Sequence, residues 1–573
     1  MNKSMRERKE NKSYQNFNLA IYCTVGDIKD IRDFEAFDKK INKILRHIKV
    51  GRVYLENFRT ARWIDIEQLK KVKAYFEGKG IATSGGITTN SPSPDYNISL
   101  CYSSEEDREI LKKTVAMNAE IFDEFIFDDF FFMNCRCPKC IAKKGNRSWS
   151  QFRLEEKKDI VENIVLKTAK QINPDVNVIV KFPNWYEDFN EVGYDIAMET
   201  ELFDAIYTGT ETRNPSYSHQ HLPKYLSYFF MRHLENAGKG KNLGGWFDTN
   251  ECTYNLSSYL EQAYLTLFGK TKEVTLFCLG ELVDITNYRL FIPAIGELLD
   301  EVDEYLGELG NPVGAAAYLP TNTRGENLVH NYLGMCGVPL EPTITYPEKE
   351  KIVFLAEGAA VDKEIVKKMQ KSLLDGADVV VTSGFVRKLG DAFKEFANVT
   401  YSGKKLTARE YSAAKTLSLV GMYPGDAPVE IPQIEYGIND VWEIAATYGT
   451  DANFPIVLRF GYGNGNVSII TIPENTGDMY HYPAAVWEVI RRQFSPQLPV
   501  RMDGPAKIQM FIYDNNKVIV RSDREYFEYV TLIMSEEIKE VKDLVSGAVW
   551  PVVNGRVTIQ VMPGVNYVLD MMA

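Results

Sequence analysis

Two groups of residues in this 573-residue chain have types and spacing that could do chemistry. The first is Phe125-Ile-Phe-Asp-Asp-Phe-Phe-Phe132, where Asp128 and Asp129 end a β-rich run among aromatic rings. Such surroundings desolvate a carboxylate and raise its pKa, which suits a general acid, while a nearby cation keeps another ionised as a nucleophile or base. Glycosidic cleavage needs two carboxylates flanking the scissile bond. Candidates for the second end other β-rich runs: Glu211 in Thr208-Gly-Thr-Glu-Thr-Arg213, Asp248 behind Trp246, and Glu281 in Cys278-Leu-Gly-Glu281, in that order of preference. Asp129 is read as the catalytic group and Asp128 as its rival, the other of the two capping the loop or pairing with Arg136 or Lys181.

The second group is Cys135-Arg-Cys137-Pro-Lys-Cys140, with Cys101 upstream. C-x-C-x-x-C is rare by chance in a chain with eight cysteines, and four thiolates could close a tetrahedral zinc site. A zinc with four thiolates has no open position for water, so the expected metal is structural. No organic cofactor is expected: no phosphate-binding loop, Ser–His–Asp order or pyridoxal-type signature stands out, and His219 and His221 lie in a loop without a third ligand.

These residues need strands to hold them. The β-rich runs are Leu19–Cys23, Arg52–Glu56, Ile81–Gly85, Phe125–Phe130, Asn177–Lys181, Phe203–Gly209, Leu243–Asp248 and Val274–Leu279, separated by segments of helical periodicity. Eight βα repeats predict a (β/α)8 TIM barrel, whose chemistry sits at the C-terminal strand ends. Those ends also carry Glu56, Lys181, Trp185, Arg213, Trp246, Asp248 and Glu281, the residues expected to bind substrate. Carboxylates and cations would orient hydroxyls, and Trp185 and Trp246 would offer faces to a sugar ring. Met1–Phe17 reads as a flexible tail and 18–320 as the catalytic barrel. The stretches 311–317 and 341–347 read as linker, 345–497 as a second α/β domain, and 498–573 as a small C-terminal β-sandwich.

Composition narrows the partners. The chain has 66 Lys and Arg against 78 Asp and Glu, a net charge of −12, which disfavours nucleic acid and anionic membrane. No apolar run is long enough to span a bilayer and the N-terminus has no signal-peptide pattern, so a cytoplasmic protein with an oligosaccharide or glycoside substrate is expected.

With its barrel, middle α/β domain, C-terminal β-domain and Cys101/Cys135/Cys137/Cys140 pattern, the chain resembles the glycoside hydrolase family 42 β-galactosidases. The resemblance implies a glutamine-amidotransferase-like middle domain, a structural zinc, an exo-acting glycosidase and a homotrimer. That family carries Asn-Glu at its fourth strand and Glu at its seventh, where this chain has Asp128-Asp129 and Asp248. A fourth-strand Asp paired with a sixth-strand carboxylate is similar instead to retaining α-galactosidase and α-fucosidase barrels, where the Asp is the nucleophile. The fold also resembles the lacto-N-biose phosphorylases. The expected function is therefore an exo-acting, retaining glycoside hydrolase, with an inverting phosphorylase and a non-catalytic carbohydrate-binding protein as alternatives. A carboxylate separation of about 5 to 5.5 Å would mark retention and roughly 6.5 to 9.5 Å inversion.

Overall fold

The computed structural model describes residues 13–91, 98–252, 255–284, 289–416 and 419–573. The chain divides into two compact units, Met1–Gly307 and Glu308–Ala573.

The first unit is the expected barrel. Its strands are β1 (Asn18–Cys23), β2 (Arg52–Arg59), β3 (Ala82–Ile87), β4 (Glu124–Phe127), β5 (Asn177–Phe182), β6 (Ala205–Gly209), β7 (Asn242–Asp248) and β8 (Glu273–Phe277). Each pairs in parallel with the next, and β1 closes the ring on β8, with Ala20 opposite Thr275. The helices between them start where side chains can take up free backbone N–H groups: Asp33, Asp65, Ser148 and Asn255 each cap one. The barrel interior is filled by Ala20, Tyr22, Tyr54, Ile126, Ile179, Ala205, Tyr207 and Trp246. Side chains alternate along a strand, so the residue two positions further on shares the same inward bearing at the mouth. Tyr54 is thus followed by Glu56, Ile126 by Asp128, Ile179 by Lys181, Tyr207 by Gly209 and Trp246 by Asp248.

The flexible tail needs correction at its end. Tyr14 and Phe17 are buried and stacked on each other with centroids 4.7 Å apart, and the Asn16 backbone N–H donates to Asp303 at 2.9 Å. Residues 1–12 lie outside the described residues.

The second unit contains a nine-stranded sheet. Five strands are parallel, in the order Leu340–Thr343, Ala315–Tyr318, Ile352–Leu355, Asp378–Thr382 and Gly465–Ile470. The two stretches read as linker therefore contribute strands of this sheet: their small residues pack as strand side chains, as the buried run Ala315–Tyr318 shows. Antiparallel strands extend it, ending in the paired 18-residue strands Val399–Thr416 and Leu419–Tyr436. Two antiparallel sheets built mainly from residues after Leu498 share one apolar core, Val500, Ile508, Val520, Leu532 and Leu569 among them, and form the β-sandwich.

Candidate active site

The mouth of the barrel encloses a cavity of about 760 Å³, whose lining includes Arg59, Asp128, Asp129, Lys181, Trp185, Glu211, Arg213 and Asp248. At its floor one ammonium group gathers three carboxylates. Lys181 Nζ lies 2.9 Å from Asp129 Oδ2, 2.6 Å from Glu211 Oε1 and 3.6 Å from Asp128 Oδ1. Because Asp129 and Glu211 oxygens sit 2.9 and 2.6 Å from one nitrogen, they are no more than 5.5 Å apart. Lys181 is buried, its Nζ 4.3 Å from the centroid of the Trp246 ring, and its pKa is raised: the three carboxylates outweigh the desolvation that would lower it.

The two adjacent aspartates occupy different environments. Asp128 is buried and fully engaged: Oδ1 accepts the Asp129 backbone N–H at 2.8 Å, while Oδ2 accepts from Arg59 at 3.1 Å and Thr88 at 3.2 Å. Burial pushes its carboxyl up, but Lys181 and Arg59 outweigh that and its pKa ends below the ordinary value. The Asp129 side chain keeps 24% of its surface exposed to the cavity. Burial and the charge of Asp128 push its pKa up to about 6 against the pull of Lys181. Tyr194 fixes the turn by donating its hydroxyl to the Asp129 carbonyl at 2.8 Å.

Glu211 is buried, and its Oε2 has no hydrogen-bond partner. Desolvation, helped by Asp129 and Asp248 and opposed by Lys181, raises its pKa to about 7. Space for this carboxylate comes from Gly209, where a Cβ would stand 2.7 Å from Glu211 Oε2 and 2.9 Å from the Phe182 carbonyl. Beyond it Arg213 adopts a left-handed backbone conformation, φ 55°, that few non-glycine residues occupy. Its guanidinium grips Asp248 with two hydrogen bonds of 3.1 and 2.8 Å.

The structure brings Asp128, Asp129, Lys181, Glu211, Trp185, Arg213, Trp246 and Asp248 to one cavity, and leaves two expected residues outside its lining. Glu56 is wholly buried, its carboxylate taken by Arg59, by the Tyr22 hydroxyl at 2.8 Å and by the Val25 backbone N–H at 2.8 Å. It therefore orients Arg59 and has no surface for a substrate hydroxyl. Glu281 accepts from Thr249, and burial raises its pKa. Trp246 also differs from its expected use: it is 2% exposed, stacked on Phe277, with one face given to Lys181 and little left for a sugar. Arg59 and Thr88 were not singled out from sequence; the signal for Arg59 was its position three residues after Glu56 at a strand end.

The four cysteines converge. Their ligand atoms all lie within 4.8 Å of one another, and Cys101 Sγ is 3.6 Å from that of Cys137 and 3.5 Å from that of Cys140. A tetrahedral zinc with Zn–S bonds of about 2.3 Å spaces its sulfurs about 3.8 Å apart, so the donor set and its dimensions fit a metal ion. Cys137 caps the helix Pro138–Lys144 that carries Cys140, which explains how a short loop collects three thiols.

A barrel whose mouth holds a close carboxylate pair has what glycosidic cleavage requires, and comparison with known proteins points to that class. Residues 6–290 match the family model described as a probable glycosyl hydrolase catalytic domain, and residues 499–562 match the corresponding C-terminal domain. Residues 310–475 match the second domain of the protein SSO3021. SSO3021 from Saccharolobus solfataricus is 25% identical over 532 residues, 85% of this chain and 87% of that protein. Among solved structures, a β-galactosidase from Bacillus circulans sp. alkalophilus is 11% identical with a TM-score of 0.65, covering 97% of this chain and 99% of that one. α-L-Fucosidase isoenzyme 2 from Paenibacillus thiaminolyticus gives the same identity and TM-score over 97% and 100%. The chain is a glycoside hydrolase that resembles the family 42 β-galactosidases in fold. Among the described residues no helix is long and apolar enough to cross a membrane.

Proposed function

We propose that the protein is an exo-acting, retaining glycoside hydrolase in which Asp129 is the nucleophile and Glu211 the acid/base. The observation that carries this reading is the shared ammonium of Lys181, which keeps the nearest Asp129 and Glu211 oxygens no more than 5.5 Å apart, short of the roughly 6.5 to 9.5 Å of inverting pairs. Asp129 rather than Asp128 takes the role because both Asp128 oxygens are already hydrogen bonded and the side chain faces little of the cavity.

A carboxylate oxygen of Asp129 bonds to the anomeric carbon as the glycosidic C–O bond breaks. The leaving oxygen keeps the electron pair and takes the proton of Glu211. Water then gives a proton to Glu211 while its oxygen bonds to the anomeric carbon and the ester bond to Asp129 breaks, returning the electron pair to the carboxylate. Asp128, held ionised by Lys181 and Arg59, braces Asp129 through its backbone N–H. Trp185, Arg213 and Asp248 line the remaining walls for hydroxyls and a ring face, and a cavity of about 760 Å³ suits a terminal sugar with its neighbour. The cavity's Arg59, Lys181 and Arg213 each pair with a carboxylate, which disfavours phosphate as the acceptor.

Cys101, Cys135, Cys137 and Cys140 would hold a structural zinc that braces the loop after β4 and takes no part in bond cleavage. The resemblance to family 42 supports a cytoplasmic homotrimer, which sedimentation equilibrium checks. The central test is sugar release from α- and β-linked aryl glycosides, including galactosides and fucosides, with and without phosphate, followed by NMR to read the configuration of the first-formed sugar. Retention without phosphate dependence is expected, and inversion or a phosphate requirement would overturn the reading.

A further inference from the structure

The second unit has a cavity of its own, which bond cleavage at the barrel mouth does not use. In its sheet the second strand, Leu340–Thr343, lies outside the first, Ala315–Tyr318, and the third, Ile352–Leu355, lies on the other side of the first. Chain leaving the first and third strands therefore turns to opposite faces, and the crevice beyond such carboxyl ends is where open α/β sheets hold ligands. The segment after Ala315–Tyr318 crosses this crevice and sets Glu326 against the ends of the next two parallel strands. Its carboxylate accepts from the Glu357 backbone N–H at 2.9 Å, from that of Gly384 at 2.8 Å and from the Thr382 hydroxyl at 2.5 Å. Gly384 permits the approach, since a Cβ there would stand 2.3 Å from Glu326 Cδ. Glu326 and Leu328 both hold left-handed backbone conformations, φ 40° and 52°, which side chains disfavour and which gather at ligand sites.

Glu326 walls a cavity of about 300 Å³. Ser383, buried at the end of the strand Asp378–Thr382, accepts the Ile472 backbone N–H at 3.0 Å and keeps its own proton to donate. Asn475 spends its amide on Asp478 at 2.8 Å and keeps its carbonyl oxygen to accept. Tyr332 and Tyr401 add aromatic surface. The charges favour an uncharged occupant. Arg387 is paired with Glu357 at 2.8 Å and Glu474 with Lys405 at 2.8 Å, while Glu326 is held by three neutral donors, so one negative charge is left over and anions are repelled. Hydroxyl donors, amide and carboxylate acceptors and aromatic surface together match the polar rim and apolar face of a sugar ring. We propose that this cavity is a second carbohydrate site, which takes one neutral monosaccharide and is built wholly from residues of the second unit. The inference goes beyond the retaining reading of the barrel and does not depend on it.

Hydrogen-exchange mass spectrometry on the full chain tests this, because the two units report through different peptides. Galactose, fucose, glucose and mannose are the probes, each titrated until any protection levels off, with glucuronate and inorganic phosphate as anionic counterparts. At least one neutral sugar should slow exchange in peptides spanning 322–328, 383–390 and 472–476, and Asp129→Asn, a change confined to the barrel, should leave that protection in place. Tyr401→Ala and Asn475→Ala, at half-buried and exposed positions, should each raise the half-saturating concentration about tenfold, the worth of one lost contact, with kcat/KM on aryl glycosides unchanged. The two anions should protect nothing there. Absence of protection with all four sugars, protection undiminished in both variants, or stronger protection by glucuronate or phosphate than by any neutral sugar would each overturn the inference. None of those results touches the retaining reading, which rests on the configuration of the sugar released at the barrel.

Discussion

The two ends of the barrel each hold a mostly buried knot of charge, and they are built differently. At the N-terminal end Arg52 reaches Glu273 at 2.9 Å and Glu124 at 2.6 Å, and Tyr54, Tyr207 and Asn177 donate to the same two carboxylates. One cation serves two anions, and hydroxyl and amide donors satisfy the remaining oxygens. At the C-terminal end Lys181 serves three, and a buried oxygen of Glu211 stays without a partner. Buried charge alone therefore does not mark a reactive site. The mark is an excess of carboxylate over donors, a cost in stability that a merely structural network would have relieved.

The sharpest way to test the contrast is Asp129→Asn, expected to lower kcat/KM by about a thousandfold or more, roughly 4 kcal/mol of barrier, while the melting temperature holds or rises because a crowded negative charge is gone. A variant that stays active would transfer the role to Asp128. Glu211→Gln should cost about as much on natural disaccharides and far less on 2,4-dinitrophenyl glycosides, whose leaving oxygen needs little protonation; equal losses on both would remove Glu211 as the acid. Arg52→Met should do the reverse, destabilising the fold by about 3 kcal/mol in urea titration with kcat/KM of the folded protein unchanged. Loss of turnover without loss of stability there would erase the distinction between the two ends.

Smaller effects follow from titration and from metal. Asp129 must be ionised and Glu211 protonated to start the reaction, so kcat/KM should rise as pH climbs through about 6 and fall as it passes about 7. The two carboxylates share Lys181, so these limbs belong to the pair. A flat profile between pH 5 and 8 would contradict the assignment. Protein purified without chelator should carry about one zinc per chain bound by the four cysteines, and Cys137→Ser should lower thermal stability more than it lowers kcat. Metal content well below one per chain would leave the thiols unmetallated.

The eight strands were legible because parallel strands buried on both faces read as short apolar runs at βα spacing, and the cysteine cluster because its spacing is compact. The long pair Val399–Thr416 and Leu419–Tyr436 was not: Lys404, Lys405, Arg409 and Glu410 give it a solvated, charged sequence, and bulges near Tyr401 and Ala408 break the alternation that would betray a strand. At the mouth, Asp129 and Glu211 were legible as carboxylates at strand ends. Their partition was not, because it depends on which oxygens neighbouring strands have already claimed. Glu56 was expected to position a substrate hydroxyl, and Arg59, Tyr22 and the Val25 backbone occupy it instead. The use of Trp246 as a cover for Lys181, rather than as a platform for sugar, is likewise a fact of closure between β5 and β7.

Gly209 gives the site a vulnerability of an unusual kind, since what it contributes is an empty volume. A methyl group there would press on Glu211 and on the rigid Phe182 carbonyl, and the carboxylate is the part free to yield. Gly209→Ala needs one nucleotide change, retains every charged and aromatic residue of the mouth, and crowds the proposed proton donor against the Phe182–Pro183 backbone. Descent from a glycosidase to a sugar-binding protein could therefore begin in this lineage with all its signature residues still in place. A survey of descendants by carboxylate motif alone would count such a protein as an enzyme.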